Sequence, residues 1–161
     1  NQNSSFTLLP ASQSDIDKVM KHFHHHPVSK MDIKSVQIIH NSTLSRAFEL
    51  RLGLLQQREG KPAFAPKWKT MENAEQRQQV IEMLEKLAEP YKDPDFPAVK
   101  LLPLWHGTRP DVLPVIFETG YVNLATTDSG FFGKGIYSAY EAEYAYRVYS
   151  KGSLVLNWVS T

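Results

Sequence analysis

The chain has 161 residues, of which 42% are apolar, 22% are charged and none is cysteine. This composition is typical of a globular protein with one real core, and it excludes a disordered chain, disulfides and thiolate metal sites. The near balance of 18 basic and 17 acidic residues argues against a broad phosphate-binding face, so nucleic acid is not the expected main partner.

Targeting and membrane signals are missing from the sequence. No apolar run approaches the roughly 18 residues that a membrane span needs, and residues 1–11 lack the basic-then-apolar pattern of a signal peptide. Together with the absence of cysteine, these features favour an intracellular protein without a membrane partner. A piece cut from a longer protein would have the same features, so the compartment stays open.

The first half of the chain predicts helices around one strand. Residues 1–11 form a polar lead-in. Apolar spacing after Ser14, with Asp17 three residues on, predicts a capped helix that ends near Pro27. Loose alternation over residues 32–39 predicts a strand.

Two longer helices follow this strand. Asn41, Ser42 and Thr43 offer N-cap side chains for a helix through Leu55. The apolar positions of residues 72–88 predict another helix. Prolines before and after it predict loops, and the sequence shows neither a repeat nor a linker that would divide the chain.

Four histidines near residue 25 raise the question of a metal site. They are His22, His24, His25 and His26. Neighbouring helical residues point in different directions, and no acidic or cysteine partner is close in sequence. We therefore interpret the cluster as a solvated helix end or the remnant of a purification tag, and we expect no metal.

The second half of the chain predicts alternating strands and helices. Residues 100–105 form a buried strand that delivers His106 at its end. Further elements follow from apolar spacing, Pro110 and the glycines: a helix from Pro110 to Gly120, an irregular loop over 121–129, a strand over 134–138, a helix over 141–149 and a strand over 153–160. The three tryptophans, Trp68, Trp105 and Trp158, are expected in the core.

The chemistry-bearing residues fall between residues 104 and 149. His106 is followed by Gly107 and Thr108, and three glycines surround Phe131 and Phe132. Five of the 7 tyrosines lie within residues 137–149. A histidine, a glycine-rich turn and clustered aromatic rings suit a pocket for a flat polar ligand. The glycine spacing matches neither a Walker loop nor the dinucleotide-fold motif.

These motifs resemble the catalytic domain of the poly(ADP-ribose) polymerase family, the diphtheria-toxin-like ADP-ribosyltransferases. His106-Gly107-Thr108 and, further on, Gly133-Lys134-Gly135-Ile136-Tyr137-Ser138-Ala139 stand in the family's order and spacing. Residues 33–41, ending in Ile38-Ile39-His40-Asn41, resemble the strand that opens the members usually classed as mono-ADP-ribosyltransferases. The resemblance spans most of the chain, and its sharp motifs lie in the last third.

The resemblance implies NAD as the substrate, release of nicotinamide and a protein acceptor. His106 and Tyr137 would belong to the His-Tyr-Glu triad, with His106 on the adenosine-side ribose and Thr108 near it. Gly107 would hold the carboxamide of nicotinamide through its backbone. Tyr137 and Tyr149 would supply aromatic faces, with Tyr146 in reserve, because flat ligands stack on rings.

Three departures from the family pattern leave alternatives open. Ala145 stands where a serine commonly holds the carboxamide, which places one hydrogen bond in doubt. Val148 occupies one position expected for the second stacking tyrosine. In the family the third triad position lies on a later strand, and no residue here can be assigned to it. Glu141 and Glu143 are close in sequence, but they are expected on the surface of the following helix. The function expected is mono-ADP-ribosyl transfer. The alternatives are a weak or inactive relative that binds NAD, ADP-ribose or a protein partner, and a purely structural domain.

The expected fold class is α+β. The resemblance implies a single domain over residues 1–161, with N-terminal helices and a split, mostly antiparallel sheet around an NAD cleft. The last strand is long and apolar, and such a strand needs paired neighbours. The family has more strands after this point, so we expect the domain to lack its last strands here.

Overall fold

A computed structural model describes residues 5–23, 31–65, 72–121 and 135–160. Within these ranges the chain forms five α-helices and two two-stranded sheets, which confirms the α+β class. The elements in chain order are β1 (Thr7–Pro10), α1 (Gln13–Phe23), β2 (Gln37–His40), α2 (Ser42–Arg58), α3 (Ala74–Ala88), β3 (Leu101–Thr108), α4 (Leu113–Thr119), α5 (Ala142–Tyr149) and β4 (Ser153–Ser160), with short 3-10 turns at Pro62–Phe64 and Glu89–Tyr91.

The first sheet pairs β1 with β2. The two strands are antiparallel, with Thr7 opposite His40 and Pro10 opposite Gln37. The prediction that residues 1–11 are only a lead-in was therefore wrong, and the strand predicted over 32–39 begins at Gln37. A four-residue strand is hard to detect locally because its partner, more than twenty-five residues away, stabilises it.

Helix α1 begins two residues earlier than its sequence pattern predicted. Ser12, and not Ser14, caps it. The Ser12 hydroxyl accepts a hydrogen bond from the Asp15 N–H at 3.2 Å, and the Asp15 carboxylate accepts one from the Ser12 N–H at 3.2 Å. This is the reciprocal capping arrangement. The Ser12 hydrogen bonds also hold the pKa of the exposed Asp15 carboxyl below its usual range.

Helix α2 begins at the cap that the sequence predicted. The Asn41 Oδ1 accepts hydrogen bonds from the N–H groups of Thr43 and Leu44, both at 3.1 Å. Its Nδ2 donates to the carbonyls of Phe117 at 2.9 Å and Glu118 at 3.3 Å. Buried Asn41 therefore both starts α2 and ties it to the end of α4.

The described residues divide into two compact units. The first comprises the described residues within 1–45 and 103–157, and the second comprises those within 46–102 and 158–161. The first core consists of Phe23, Trp105, Ala142 and Ala145. Trp105 meets Phe23 edge to face, and its ring N–H donates to the His22 carbonyl at 3.2 Å. The expectation that Trp105 is a core residue is confirmed.

The second unit has its own smaller core. Its buried members are Leu52, Val99 and Leu101. Trp158 was expected in a core but is 52% exposed, so that prediction was wrong. Its ring touches Tyr91 edge-on at 5.5 Å between centroids. Trp68 lies outside the described residues.

Strand β3 is longer than predicted, and this changes the setting of the histidine. The strand continues through His106 to Thr108, so His106 lies within it and not at its end. Helix α4 begins at Leu113, three residues after Pro110. Residues 135–138 of the strand predicted over 134–138 are described, and they form no strand. Ala139, just beyond that range, forms a single bridge with Trp105.

Two predicted turns and two predicted elements match the structure closely. Gly120 ends α4 with φ of 74°, and its N–H donates to the Ile116 carbonyl at 2.9 Å. Gly152 has φ of 110° before β4. These positive φ values favour glycine. Helix α5 and strand β4 occupy the predicted ranges within one residue.

Candidate functional site

The two faces of β3 carry different chemistry. Side chains alternate along a strand, so Trp105 and His106 point to opposite faces. Trp105 enters the first core, where Leu154 and Leu156 of β4 also pack. His106 is only half-buried. His106 therefore lies on the face of β3 opposite to the face that packs into the core.

One hydrogen bond determines which nitrogen of His106 is available. The Nδ1 lies 2.8 Å from the Tyr137 carbonyl oxygen. A carbonyl oxygen only accepts, so Nδ1 carries the hydrogen and donates it. In the neutral ring the Nε2 is then an acceptor. His106 is therefore prepared to accept a hydrogen bond from a hydroxyl group at Nε2.

Gly107 lies against the last turn of α5. A Cβ atom at this position would collide with the Ala145 carbonyl oxygen and come within 2.8 Å of the Ser150 nitrogen. Both obstacles are backbone atoms, and the Ser150 N–H already donates to the Ala145 carbonyl at 3.1 Å. Packing alone therefore requires glycine here, whether or not a ligand approaches.

The polar backbone groups of Gly107 face the edge of β3 that carries the bridge to Ala139. Trp105 exchanges hydrogen bonds with Ala139 at 2.7 and 2.8 Å, whereas the Thr108 carbonyl accepts from Lys151 N–H on the opposite edge. Backbone groups alternate between edges, so those of Gly107 face the same side as those of Trp105. The bridge to Ala139 is isolated, so no ladder between described residues continues from it along this edge to Gly107.

Tyr137 and Tyr149 form an aromatic pair. Their ring centroids are 5.8 Å apart and their planes differ by 24°, which is an offset stack. Tyr144 meets the Tyr149 ring edge-on at 6.2 Å. Tyr146 and Val148 are 40% and 52% exposed. Of the tyrosines proposed for the second stacking face, Tyr149 is therefore the one that the structure places beside Tyr137.

Ala145 lies next to Gly107, and it is fully buried. Ser150 carries the nearest serine hydroxyl along the chain, but its hydrogen-bonding capacity is used in a turn. It donates to the Ser153 carbonyl at 2.7 Å and accepts from the N–H groups of Gly152 and Ser153. Ser150 therefore does not replace the hydroxyl that Ala145 lacks.

Tyr121 and Asn157 are site residues that sequence reasoning missed. The Tyr121 ring meets the His106 ring edge-on, with centroids 5.0 Å apart and an angle of 74°. The Tyr121 hydroxyl donates to the Asn157 Oδ1 at 2.8 Å. Burial, opposed by this hydrogen bond, raises the pKa of Tyr121 to about 12. No motif links residues so far apart in sequence, so only the structure could reveal them.

The structure brings most of the predicted site residues together. His106, Gly107, Tyr137, Ala145 and Tyr149 are connected by the contacts above. Thr108 is buried, at 9% exposure. Residues 122–134, which include the loop and the glycines around Phe131 and Phe132, lie outside the described residues. Glu141 is exposed, as expected, but Glu143 is half-buried and pairs with Arg147.

The described residues contain neither a metal-binding cluster nor a membrane-spanning helix. No group of three His, Asp or Glu side chains there is placed to hold a metal ion, although His24, His25 and His26 lie outside those ranges. No helix in the described part of the chain is long and apolar enough to cross a membrane.

The second unit carries an open groove of about 690 Å³. Apolar side chains line most of it, together with three carboxylates and one lysine: Phe48, Glu49, Leu52, Tyr91, Lys92, Asp93, Pro94, Asp95, Phe96, Leu101 and Trp158. None of the predicted site residues lines this groove. The chemistry predicted from sequence is therefore concentrated around β3 and α5 in the first unit.

Comparison of the sequence with protein-family models and with curated proteins finds no match.

Proposed function

We propose that this protein is an NAD⁺-dependent ADP-ribosyltransferase of the mono-transferring kind, with an ADP-ribosyltransferase fold. The observation that carries the proposal is the meeting of three features in one unit. They are the backbone of Gly107 on the Ala139 edge of β3, the tyrosine pair of Tyr137 and Tyr149, and His106 with its Nδ1 occupied. These are the residues that the family resemblance named from the sequence.

Gly107 and the tyrosine pair would bind the nicotinamide half. The Gly107 N–H would donate to the carboxamide oxygen, and its carbonyl would accept from the carboxamide nitrogen. The ring would stack on tyrosine. A ring between both tyrosines needs their centroids roughly 7 Å apart, about twice a 3.5 Å contact distance, and they are 5.8 Å apart. Binding therefore either separates the pair or uses one face of Tyr149.

His106 would bind the adenosine-side ribose. Its Nε2 is the acceptor left by the hydrogen bond to the Tyr137 carbonyl, so the ribose 2′-hydroxyl would donate to it. This contact fixes the pose of the dinucleotide without touching the reacting carbon. His106 and Gly107 adjoin on one strand, so the two halves of NAD⁺ would be held in a fixed register.

The reaction breaks the bond between C1′ of the ribose and the nicotinamide nitrogen. Nicotinamide leaves with the bonding electrons, a nucleophilic side chain of the acceptor protein bonds to C1′, and it gives up a proton to the medium. Positive charge develops on the ribose during this step, and preorganised electrostatics stabilise such charge effectively. No residue in the described ranges is assigned to the third triad position, which would supply that stabilisation.

A second candidate function is a binding module for NAD or ADP-ribose without turnover. One observation favours it specifically. Ala145 offers no hydroxyl to the carboxamide, and the Ser150 hydroxyl is committed to its turn. Loss of one hydrogen bond lowers affinity by about 0.5–1.5 kcal/mol. That loss weakens binding of the nicotinamide carboxamide but leaves the proposed contact of His106 with the ribose unchanged.

Thermal unfolding with benzamide and with NAD⁺ tests the proposal. Benzamide mimics nicotinamide, and a ligand at 100 times its Kd stabilises the folded state by about 2.7 kcal/mol. We expect both ligands to raise the midpoint. The Tyr149→Ala variant should lose the benzamide shift, because it removes the stacking ring.

The enzymatic part of the proposal is tested by nicotinamide release and by labelling of acceptor proteins with NAD⁺. Turnover that His106→Ala abolishes supports the transferase. Binding of both ligands without turnover would favour the binding module instead. If neither ligand shifts the midpoint of the well-folded protein, both functions are rejected.

A further inference from the structure

We infer that Tyr121 and Asn157 are positioning residues that fix the His106 ring and thereby set the affinity for the nucleotide half of NAD⁺. The inference rests on the proposed function, in which His106 accepts a hydrogen bond from the adenosine-side ribose. Neither residue belongs to the motifs that carried the sequence resemblance.

A chain of contacts runs from β4 to the histidine. The Asn157 Nδ2 donates to the Val155 carbonyl at 3.1 Å, which leaves its Oδ1 for the Tyr121 hydroxyl at 2.8 Å. The Tyr121 ring then meets His106 edge-on at 5.0 Å. Each link has one preferred orientation, since the Asn157 amide is fixed by donor and acceptor together.

These contacts restrict a rocking motion of the His106 ring that the hydrogen bond from Nδ1 alone still allows. A single hydrogen bond to the Tyr137 carbonyl still allows the half-buried His106 ring to rock about that contact. A ring packed at a steep angle against it restricts this motion. The direction of the Nε2 lone pair therefore depends on both partners, and a misdirected lone pair forms a weaker hydrogen bond.

The position of Asn157 is consistent with the strand pattern of β4. Val155, Asn157 and Val159 share one face, opposite to Leu154 and Leu156, which pack into the first core. A polar amide at half-buried Asn157 is costly unless it is hydrogen-bonded. Its two hydrogen bonds meet that need, and one of them leads to Tyr121.

The test compares two ligands that differ in their use of His106. Benzamide has no ribose, whereas NAD⁺ has the hydroxyl that would reach Nε2. Tyr121→Phe keeps the ring and removes the hydroxyl, and Asn157→Ala removes the acceptor of the same hydrogen bond. Isothermal titration gives Kd for both ligands with each variant. Thr119→Val is the matched control, since it deletes a hydroxyl whose hydrogen bonds, to Val115 and Gly120, are local.

The expected result is a selective loss. Kd for NAD⁺ should rise roughly 2- to 10-fold in Tyr121→Phe and in Asn157→Ala, the range expected for one hydrogen bond. Kd for benzamide should change less than about 2-fold, within the scatter of surface substitutions. The double variant should lose no more than either single one, because both remove one interaction. Thr119→Val should leave both constants unchanged.

Three outcomes overturn the inference. Equal weakening of both ligands would mean that Tyr121 supports the unit in general. Unchanged NAD⁺ affinity in both variants would mean that the His106 ring needs no second support. Additive losses would mean that Tyr121 and Asn157 act separately. Failure of the proposed function gives a different result, since the unmodified protein would then bind neither NAD⁺ nor benzamide.

Discussion

Replacing Gly107 by alanine tests whether this glycine is required by packing. The added Cβ would collide with the Ala145 carbonyl and approach the Ser150 nitrogen at 2.8 Å. Overpacking a core costs about 1–3 kcal/mol. Since both obstacles are backbone atoms joined by a hydrogen bond, no side chain is available to rotate away. We therefore expect a loss in the upper part of that range.

A loss of about 2–3 kcal/mol lowers the melting midpoint of a chain of this size by roughly 4–12 °C. Thermal and urea unfolding, followed by circular dichroism, measure it without any ligand. Gly53→Ala is the matched control, because Gly53 lies in α2 and a Cβ there would meet only the Phe96 ring, at 3.9 Å. That control should stabilise by about 0.5–1 kcal/mol, since alanine favours helix over glycine.

The two glycine substitutions thus have predicted effects of opposite sign. A Gly107→Ala protein as stable as the parent would refute the packing argument, and it would leave ligand approach as the only reason for glycine at this position. A destabilised variant has a practical consequence as well. If Gly107→Ala loses benzamide binding, its lower stability is a second explanation for the loss. Tyr149→Ala separates the two explanations, because the side chain that it removes lies half-exposed.

Three further predictions concern stability. Trp105→Ala should cost about 3–5 kcal/mol in urea unfolding, because the ring is 4% exposed and packs against Phe23. Asn41→Ala should cost about 1–2 kcal/mol or more, since the cap of α2 and the buried hydrogen bonds to α4 are lost together, whereas Asn41→Asp should keep the cap alone. The pKa of Tyr121 is raised by burial to about 12, so the unfolded chain loses this proton first. Stability should fall between pH 10 and 12 by up to about 1.4 kcal/mol per pH unit from this residue, and Tyr121→Phe should flatten that part of the profile.

Local signals in the sequence predicted the elements that local chemistry determines. The Asn41 cap and the glycines at 120 and 152 depend on neighbouring residues or on one residue's backbone freedom, and the apolar alternation of β4 is visible within its own eight residues. The start of α1 shows the limit of such signals. Ser12-x-x-Asp15 and Ser14-x-x-Asp17 are equally good capping patterns, and only the structure distinguishes them.

Features set by distant partners were missed. Strand β1 depends on pairing with β2, and nothing in its own four residues indicates that. Trp158 alternates correctly along β4, but alternation states which side chains share a face and not whether that face is covered. The exposed indole shows that the face at this end of β4 is open among the described residues.

The site divides in the same way between what sequence could and could not predict. His106, Gly107, Tyr137 and Tyr149 belong to motifs, and the structure places them beside one another. Tyr121 and Asn157 belong to no motif, yet their contacts act on the same histidine. In the proposed function the motif residues would contact the ligand directly, while the residues that support them can be any side chains that reach them. This difference is why the supporting residues give the sharper test: a structural role alone would not separate NAD⁺ from benzamide, and the proposed role would.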